Sequence, residues 1–446
     1  MSDIIRPQRI KRVTPEAAPK GGTPVEHVGW PDMGTALIPK DRYISPAFMQ
    51  AEWDRMWTKV WLLGGRECDI PEPGDFIATE IGRESVLLIR QKDGAVRAFH
   101  NVCLHRGNRL ADAGLGSMEA GRLRCGYHGW EYGPDGRIRH IPDMKSFPQG
   151  APCKKLPELP CGSWGSFIWF SLNQDAPPLA EYLGEMPAHL DPYHFERMVQ
   201  TRDITVEWDC NWKASVDAFN ESYHVQATHP QLLWYLDDLN IQIDCYERHS
   251  RYLVPFGVIS QRRPYPPEIP APIKFMMREA GMDPASYQGD KTNIREAIQR
   301  HKRAHGQAQG KDYGALNDDQ LTDDYNYLIF PNVTLNTHAD DLMLFRHRPH
   351  PSNPDKMFFD IWTFMLPDRE EQEKYRDRPR PRPKHRRYLG NERTLGLVID
   401  QDGGNLPRVQ QGMHSAGYPG LWLGEQEIRL RHFHHVLMNY IEGRLD

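Results

Sequence analysis

The stretch 103-CLHRGNRLADAGLGSMEAGRLRCGYHGW-130 contains two Cys-His pairs, C-x-H and C-x2-H, with nineteen residues between them. Gly107, Gly126 and Gly129 lie in or beside the pairs, and glycine lets a loop backbone close tightly around a bound group. The order of residue types decides the reading. A zinc finger pairs Cys with Cys in one half and His with His in the other, so structural zinc is the weaker account of this spacing.

Two thiolates on one iron and two imidazoles on the other define a Rieske [2Fe–2S] centre, and two loops that each carry one Cys and one His deliver that set. Cys103, His105, Cys125 and His128 are therefore the expected cluster ligands. Imidazole ligation raises the reduction potential above that of an all-thiolate cluster, which suits a centre that accepts and passes on single electrons. Cys68, Cys153, Cys161, Cys210 and Cys245 lack such a His partner and read as buried thiols.

Around the pairs the chain alternates in short runs: 76-FIATEI-81, 85-SVLLIRQ-91 and 95-AVRAFHNVC-103, with Lys-Asp-Gly and Pro-Asp-Gly turns at 92–94 and 134–136. Residues 41–165 read as a small all-β domain, preceded by a loose arm over 1–40 and followed by a Pro-rich connection over 166–200. Residues 201–446 read as α+β, with strand-like runs at 327–330, 341–348 and 357–365 and an apolar-periodic helix around 421–442. The basic 376-RDRPRPRPKHRRY-388 is expected to be an exposed extended loop, with docking as the minor alternative.

A chain of 446 residues with 39% hydrophobic residues and 12 Trp can fill two cores. The net charge of −5 gives no basic footprint for nucleic acid, and no apolar run reaches the roughly 18 residues of a membrane span. The first residues lack the apolar core of a signal peptide, so a cytoplasmic location is expected, and an odd set of seven cysteines fits that reducing compartment.

A second constellation lies in 210-CNWKASVDAFNESYHVQATHP-230, which sets Asp217, Glu221, His224 and His229 among aromatic residues. Ionisable groups in such surroundings cost free energy unless paired, and a metal is a suitable partner. A helix over 213–227 would place 217, 220, 221 and 224 on one face. His229 would stand roughly 140° from His224 on a regular helix, but Pro230 disfavours the α conformation at His229, ends the helix and frees the second imidazole to swing back. Two neutral imidazoles and one carboxylate would make the facial triad of a non-haem Fe(II) oxygenase. The bland alternative, two core histidines satisfied by hydrogen bonds, is disfavoured by the acids one turn away. For the carboxylate, 398-VIDQDGGNLPRVQQG-412 offers Asp400 and Asp402 in a helix-start or turn sequence, and local physics leaves both open, with Asp340 and Asp341 beside them.

These residues together resemble the oxygenase (α) component of Rieske non-haem iron aromatic ring-hydroxylating oxygenases, over roughly residues 40–440. Cys103-x-His105 and Cys125-x2-His128 match the cluster motif. Asn211-Trp212-Lys213, Phe219 and Glu221-x2-His224-x4-His229-Pro230 match the mononuclear iron motif, and 401-QDGGN-405 with Gln410 selects Asp402 over Asp400. Two departures stand out: a slightly longer gap between the cluster loops, and Glu221 where many members carry Asp. The resemblance implies a Rieske domain followed by a catalytic domain of helix-grip (START-like) type, an antiparallel sheet curved over a long C-terminal helix. It implies head-to-tail trimers in which His128 of one subunit approaches Glu221 of the next, so that Glu221 bridges the two metal centres, with Asp217 as alternative bridge or support.

It further implies that electrons from NAD(P)H reach the cluster through a separate reductase, a ferredoxin or both, and pass to iron held by His224, His229 and Asp402, where O2 is activated. No Gly-x-Gly-x-x-Gly unit offers a nucleotide site in this chain. The segments 231–241, 253–259 and 327–347 are expected near the pocket, and their apolar, aromatic character suits an aromatic or polycyclic substrate. Arg346, His347 and Arg348 are candidates to meet a substrate carboxylate or are exposed strand-end charges. Cis-dihydroxylation leads, with monooxygenation or O- or N-demethylation on the same scaffold as the alternative. A pure Rieske electron carrier and a zinc-stabilised ligand-binding protein are the readings from other classes. A small β subunit is left open.

Overall fold

The computed structural model describes residues 27–376 and 380–445, which form two compact units. Most of the expected N-terminal arm lies outside the described residues. Its remainder, 27–40, is tied down rather than loose: the Asp244 carboxylate holds His27 Nδ1 at 2.9 Å and the Val28 amide at 2.8 Å, and Arg431 donates to the Ala36 carbonyl at 2.8 Å.

One unit comprises residues 49–184 with 349–353 and 439–445. Its strands are β1 (Trp61–Arg66), β2 (Asp75–Ile81), β3 (Glu84–Arg90), β4 (Val96–His100), β5 (Gly114–Ser117), β6 (Leu123–Arg124), β7 (Glu131–Tyr132), β8 (Ile138–His140), β9 (Glu158–Leu159), β10 (Cys161–Trp164) and β11 (Phe167–Ser171). They form sheets of order β9-β4-β3-β2-β5, β10-β11-β1 and β6-β7-β8, all antiparallel. The runs 76–81 and 85–91 are β2 and β3, while the third stops at His100 because the chain then turns into the first Cys-His loop. Leu87, Ile89, Phe99, Trp130 and Tyr132 form a core that also encloses Cys103 and Cys125, so both loops are rooted in packed apolar structure.

The other unit comprises residues 27–48, 185–348, 354–376 and 380–438. Its strands are β12 (Val199–Trp208), β13 (Gln242–Cys245), β14 (Ser250–Val254), β15 (Asp324–Ile329), β16 (Val333–Thr337), β17 (Asp341–Pro349), β18 (Met357–Met365) and β19 (Arg386–Leu389). They build one eight-stranded sheet of order β13-β14-β15-β16-β17-β18-β12-β19. β13 to β17 run antiparallel in sequence order, β12 pairs antiparallel with β18, and β19 joins β12 in parallel. The end of the Pro-rich basic stretch is thus an edge strand and not a loop. A long helix, Ile428–Ile441, buries Leu430, Phe433, Val436, Leu437 and Tyr440. Its Arg429, fully buried, donates to Ser250 Oγ, Asn326 Oδ1 and Asn220 Oδ1, pinning the helix to β14 and β15. This is the expected helix-grip arrangement, and the α+β fold class holds.

The expected helix over 213–227 is broken. Helix α1 (Trp212–Ala218) is capped by Asn211, whose side chain accepts from the Lys213 amide at 3.0 Å, and α2 spans only Val225–Thr228. The reason is Asn220. Its side-chain amide donates to the Val216 carbonyl at 2.6 Å, the acceptor its own backbone N–H would take in a continuing helix. Its oxygen is spent on Arg429, so position 220 does not join a shared polar face. Of the five cysteines read as buried thiols, Cys210 and Cys245 are buried, whereas Cys68 and Cys153 are exposed and Cys161 is half-buried.

Candidate active site

The two Cys-His loops are copies of one another in hydrogen bonding. The Cys103 amide donates to the Asn108 carbonyl at 2.7 Å and the Gly107 amide to the Cys103 carbonyl at 3.0 Å; the Cys125 amide donates to the Trp130 carbonyl at 2.8 Å and the Gly129 amide to the Cys125 carbonyl at 3.0 Å. Gly107 and Gly129 both take φ of +73°, a conformation that favours glycine, whereas Gly126 does not need it. The loops bring the His105 and His128 rings to 4.4 Å between centroids, and His105 stacks on Trp130 at 5.1 Å.

These four side chains fit a two-iron cluster. His105 Nδ1 is buried with no hydrogen-bond partner, as a metal-directed nitrogen would be. Burial raises the Cys103 thiol, but amides point at both sulfurs, from His105 onto Cys103 and from Tyr127 and His128 onto Cys125, and such N–H groups stabilise thiolates. Tyr132 Oη lies 3.3 Å from Cys103 Sγ. His128 and Tyr127 are exposed at the tip.

In the other unit, His224, His229 and Asp402 gather with ligand atoms all within 4.8 Å of one another. Nε2 of His229 lies 2.9 Å, and Nε2 of His224 3.7 Å, from the same Asp402 oxygen. Each Nδ1 is occupied behind: that of His229 faces Gln401 Oε1 at 2.8 Å, and that of His224 is held by Glu221, whose other oxygen accepts the His224 amide at 3.1 Å. Outer acceptors on both Nδ1 atoms leave both Nε2 lone pairs aimed at one point beside a carboxylate, the donor set of a divalent metal. Burial would lower the His224 imidazole, but the hydrogen bond and charge of Glu221 override it and hold it above its ordinary value.

Three pieces of chain carry this trio. His224 precedes α2, and His229 caps it with φ −123° and ψ 51°, outside the helical region, as Pro230 predicts. Asp402 sits inside helix α3 (Leu397–Met413), not in a turn. Asp400, in the first turn of α3, instead accepts from the Leu395 amide at 2.7 Å and from Thr394 Oγ1 at 2.5 Å, which fixes the helix start. Gln410 pins α3 to α1 by accepting the Asn211 amide at 2.9 Å.

Asp217 reaches neither imidazole. It accepts from Tyr43 Oη at 2.5 Å, and the same hydroxyl lies 2.6 Å from His434 Nε2. Asp340 is paired with Lys302 at 2.6 Å and Lys311 at 2.9 Å, and Asp341 with His338 at 3.0 Å. Arg346 and Arg348 are neither exposed charges nor pocket groups: both pair with buried Asp360, at 2.8 and 2.7 Å. His347 is buried between Ser215 Oγ and Thr334 Oγ1, and burial pushes its imidazole down to about 3.

A cavity of about 310 Å³ opens on the trio, walled by Leu232, Val254, Phe256, Met343, Phe345 and Ile399 among others. The three segments expected near the pocket all contribute, while Tyr252, Asp324, Val398 and Ile399 were not anticipated. An open hollow of about 560 Å³ also reaches the trio, lined by Asp217, Glu221, His224, Tyr418, Trp422 and Glu427, and Trp422 is 83% exposed.

The fold and donor set define a two-centre iron protein, and the comparisons agree. Residues 195–443 match the model of the ring hydroxylating alpha subunit (catalytic domain), and 60–160 match the Rieske [2Fe-2S] domain. The chain belongs to the family of Rieske ring-hydroxylating oxygenase α subunits. It is 32% identical over 203 residues to the glycine betaine monooxygenase oxygenase subunit of Pseudomonas aeruginosa, covering 44% of this chain and 45% of the relative. It is 34% identical over 197 residues to the large oxygenase component of the naphthalene 1,2-dioxygenase system of Pseudomonas putida, covering 41% and 42%. The matched part spans less than half the length of each. In fold it is similar to a quaternary ammonium Rieske monooxygenase in complex with L-carnitine, with TM-score 0.65 and 16% identity over 92% of this chain and 97% of that one. Family membership implies a Rieske cluster and a mononuclear iron. Among the described residues, no helix is long and apolar enough to cross a membrane.

Proposed function

We propose that this chain is the terminal oxygenase component of a multicomponent Rieske oxygenase that hydroxylates an apolar, ring-containing substrate. The observation that carries the reading is the convergence of two imidazole Nε2 atoms and Asp402 on one wall of a largely apolar cavity of about 310 Å³. When bound, the cluster supplies single electrons and the mononuclear iron supplies O2 activation. Cys103, His105, Cys125 and His128 would hold the first, and His224, His229 and Asp402 the second. Gln401 and Glu221 fix the imidazole tautomers, the apolar walls exclude water, and the cavity orients the substrate carbon toward the trio.

In this reading, a ferredoxin, a reductase using NAD(P)H or both deliver the electrons, and the working unit is a homotrimer. Support comes from the exposed His128 and Tyr127 on one unit and the open hollow at Glu221 on the other, which fit the docking of one copy's loop tip into the next. Glu221 then bridges the centres while Asp217 supports the hollow wall. Monooxygenation or demethylation is the second reading, favoured by the similarity to a glycine betaine monooxygenase subunit.

The test is product mass under 18O2, with the reconstituted chain, a reductase, NADH and a panel of aromatic, polycyclic and methoxy-aromatic compounds. Two labelled atoms and two added hydrogens mark cis-dihydroxylation. One labelled atom, or release of formaldehyde, marks the second reading. Reduction of the cluster with no labelled product from any compound would leave an electron carrier and overturn both.

A further inference from the structure

One wall of the cavity is not apolar. Asp324 opens β15 and His338 follows the end of β16, and since Tyr325 pairs with Thr337 the two side chains share the open end of this hairpin. Both line the cavity that holds His224, His229 and Asp402. Asp324 is 7% exposed, and its Oδ1 is buried with no hydrogen-bond partner. His338 Nε2 lies 3.8 Å from that oxygen, too far to donate to it, and its Nδ1 is committed to Asp341 at 3.0 Å. A buried carboxylate oxygen left unsatisfied in this way costs free energy until a ligand fills it.

We infer that Asp324 and His338 form a hydroxyl-reading pair, so that the substrate is an apolar body bearing an alcoholic or phenolic OH whose oxygen sits between Oδ1 and Nε2. The inference rests on the proposal that this cavity is the substrate pocket. An oxygen about 2.8 Å from each atom spans a 3.8 Å gap, accepting from Nε2–H and donating to Oδ1. The charge states agree with that assignment. Burial works against the His338 imidazolium, but Asp341 and Asp324 override it and raise the group to about 9, so Nε2 carries a proton at neutral pH. Burial raises Asp324 only to about 6, which leaves it a carboxylate there. An ether or ketone has no proton for Oδ1, a quaternary ammonium has neither donor nor acceptor, and a primary ammonium would lie against the imidazolium. A hydroxyl serves both atoms through a single oxygen and without added charge. A site built to bond a hydroxyl rejects the analogue that lacks it, because its own polar atoms are then left unpaired.

The test is anaerobic equilibrium dialysis of the iron-loaded holoenzyme against 2-naphthol, 2-methoxynaphthalene and naphthalene. The expected result is about tenfold or greater preference for 2-naphthol over both others. In Asp324→Leu and His338→Leu that preference falls to within about twofold, with iron content and cluster spectrum unchanged. Because Oδ1 makes no hydrogen bond within the protein and meets His338 only as a charge 3.8 Å away, Asp324→Leu removes no internal hydrogen bond of that atom and should fold. Equal binding of all three by the wild type, or a preference that survives both substitutions, overturns the hydroxyl assignment and leaves the pocket standing. Failure of all three to bind overturns the pocket and the assignment together.

Discussion

Gly403 lies against the indole of Trp208 so closely that a Cβ at 403 would stand 2.9 Å from Cζ2 and 3.1 Å from Cε2. Trp208 cannot yield, being fully buried and stacked on Phe359 at 4.4 Å. The contact sets how near α3 approaches β12, and Asp402 is the residue next to it. Gly403→Ala is therefore expected to lower stability by about 1–3 kcal/mol through overpacking, despite alanine's better helix propensity. It should also loosen the mononuclear site, because α3 must shift. Thermal unfolding and iron content after dialysis check this. An unchanged melting temperature with full iron would mean that the helix accommodates the methyl.

Asp402→Ala removes the carboxylate on which both Nε2 atoms converge. Iron should fall from about three per chain to about two, the brown cluster spectrum persisting, since the cluster loops belong to the other unit. Iron quantitation with visible absorption decides it. Full iron would place the third ligand elsewhere.

Glu221→Gln keeps an oxygen to accept from His224 Nδ1 and removes the charge. Both metals should stay bound while reoxidation of the cluster, with substrate and O2 present, slows by about 10–100-fold. Stopped-flow absorbance reads that rate. Reoxidation at the wild-type rate would deny Glu221 a bridging part.

Much of this site was legible because its constraints are local. Each loop carries one Cys and one His, and Pro230 follows His229, so the candidate cluster ligands and the end of α2 could be read from neighbours. What was hidden depended on partners far along the chain. Asn220 breaks the expected helix by taking the Val216 carbonyl with its side-chain amide, while its oxygen is held by Arg429, 209 residues away. β14 escaped notice because Arg251 is fully buried in it, at 2.7 Å from Asp244, a charge in the core that masks the strand pattern. Arg346 and Arg348 read as pocket groups or exposed charges for the same reason, since only the neighbouring β18 reveals that Asp360 neutralises them. Asp324 and His338 are brought together by strand register, which no spacing in the sequence announces.

Asp217 offers a pH test of the buried Tyr43–Asp217–His434 group. Burial pushes its carboxyl up to about 7, outweighing the Tyr43 hydrogen bond and nearby Lys213. An unfolded aspartate titrates near ~3.9. Between these values the native chain holds a proton that the unfolded chain has released, so this group's contribution to stability declines as pH rises from about 4 to about 7, and is flat beyond. Asp217→Asn keeps an oxygen for Tyr43 and cannot ionise. Its stability relative to wild type should climb by roughly 2–4 kcal/mol across that window, an order-of-magnitude figure, and then level off. Paired denaturant titrations at pH 4.5, 6 and 8 measure the difference. A constant offset at all three would mean that Asp217 is already ionised at the lowest pH, with Tyr43 and Lys213 dominating over burial.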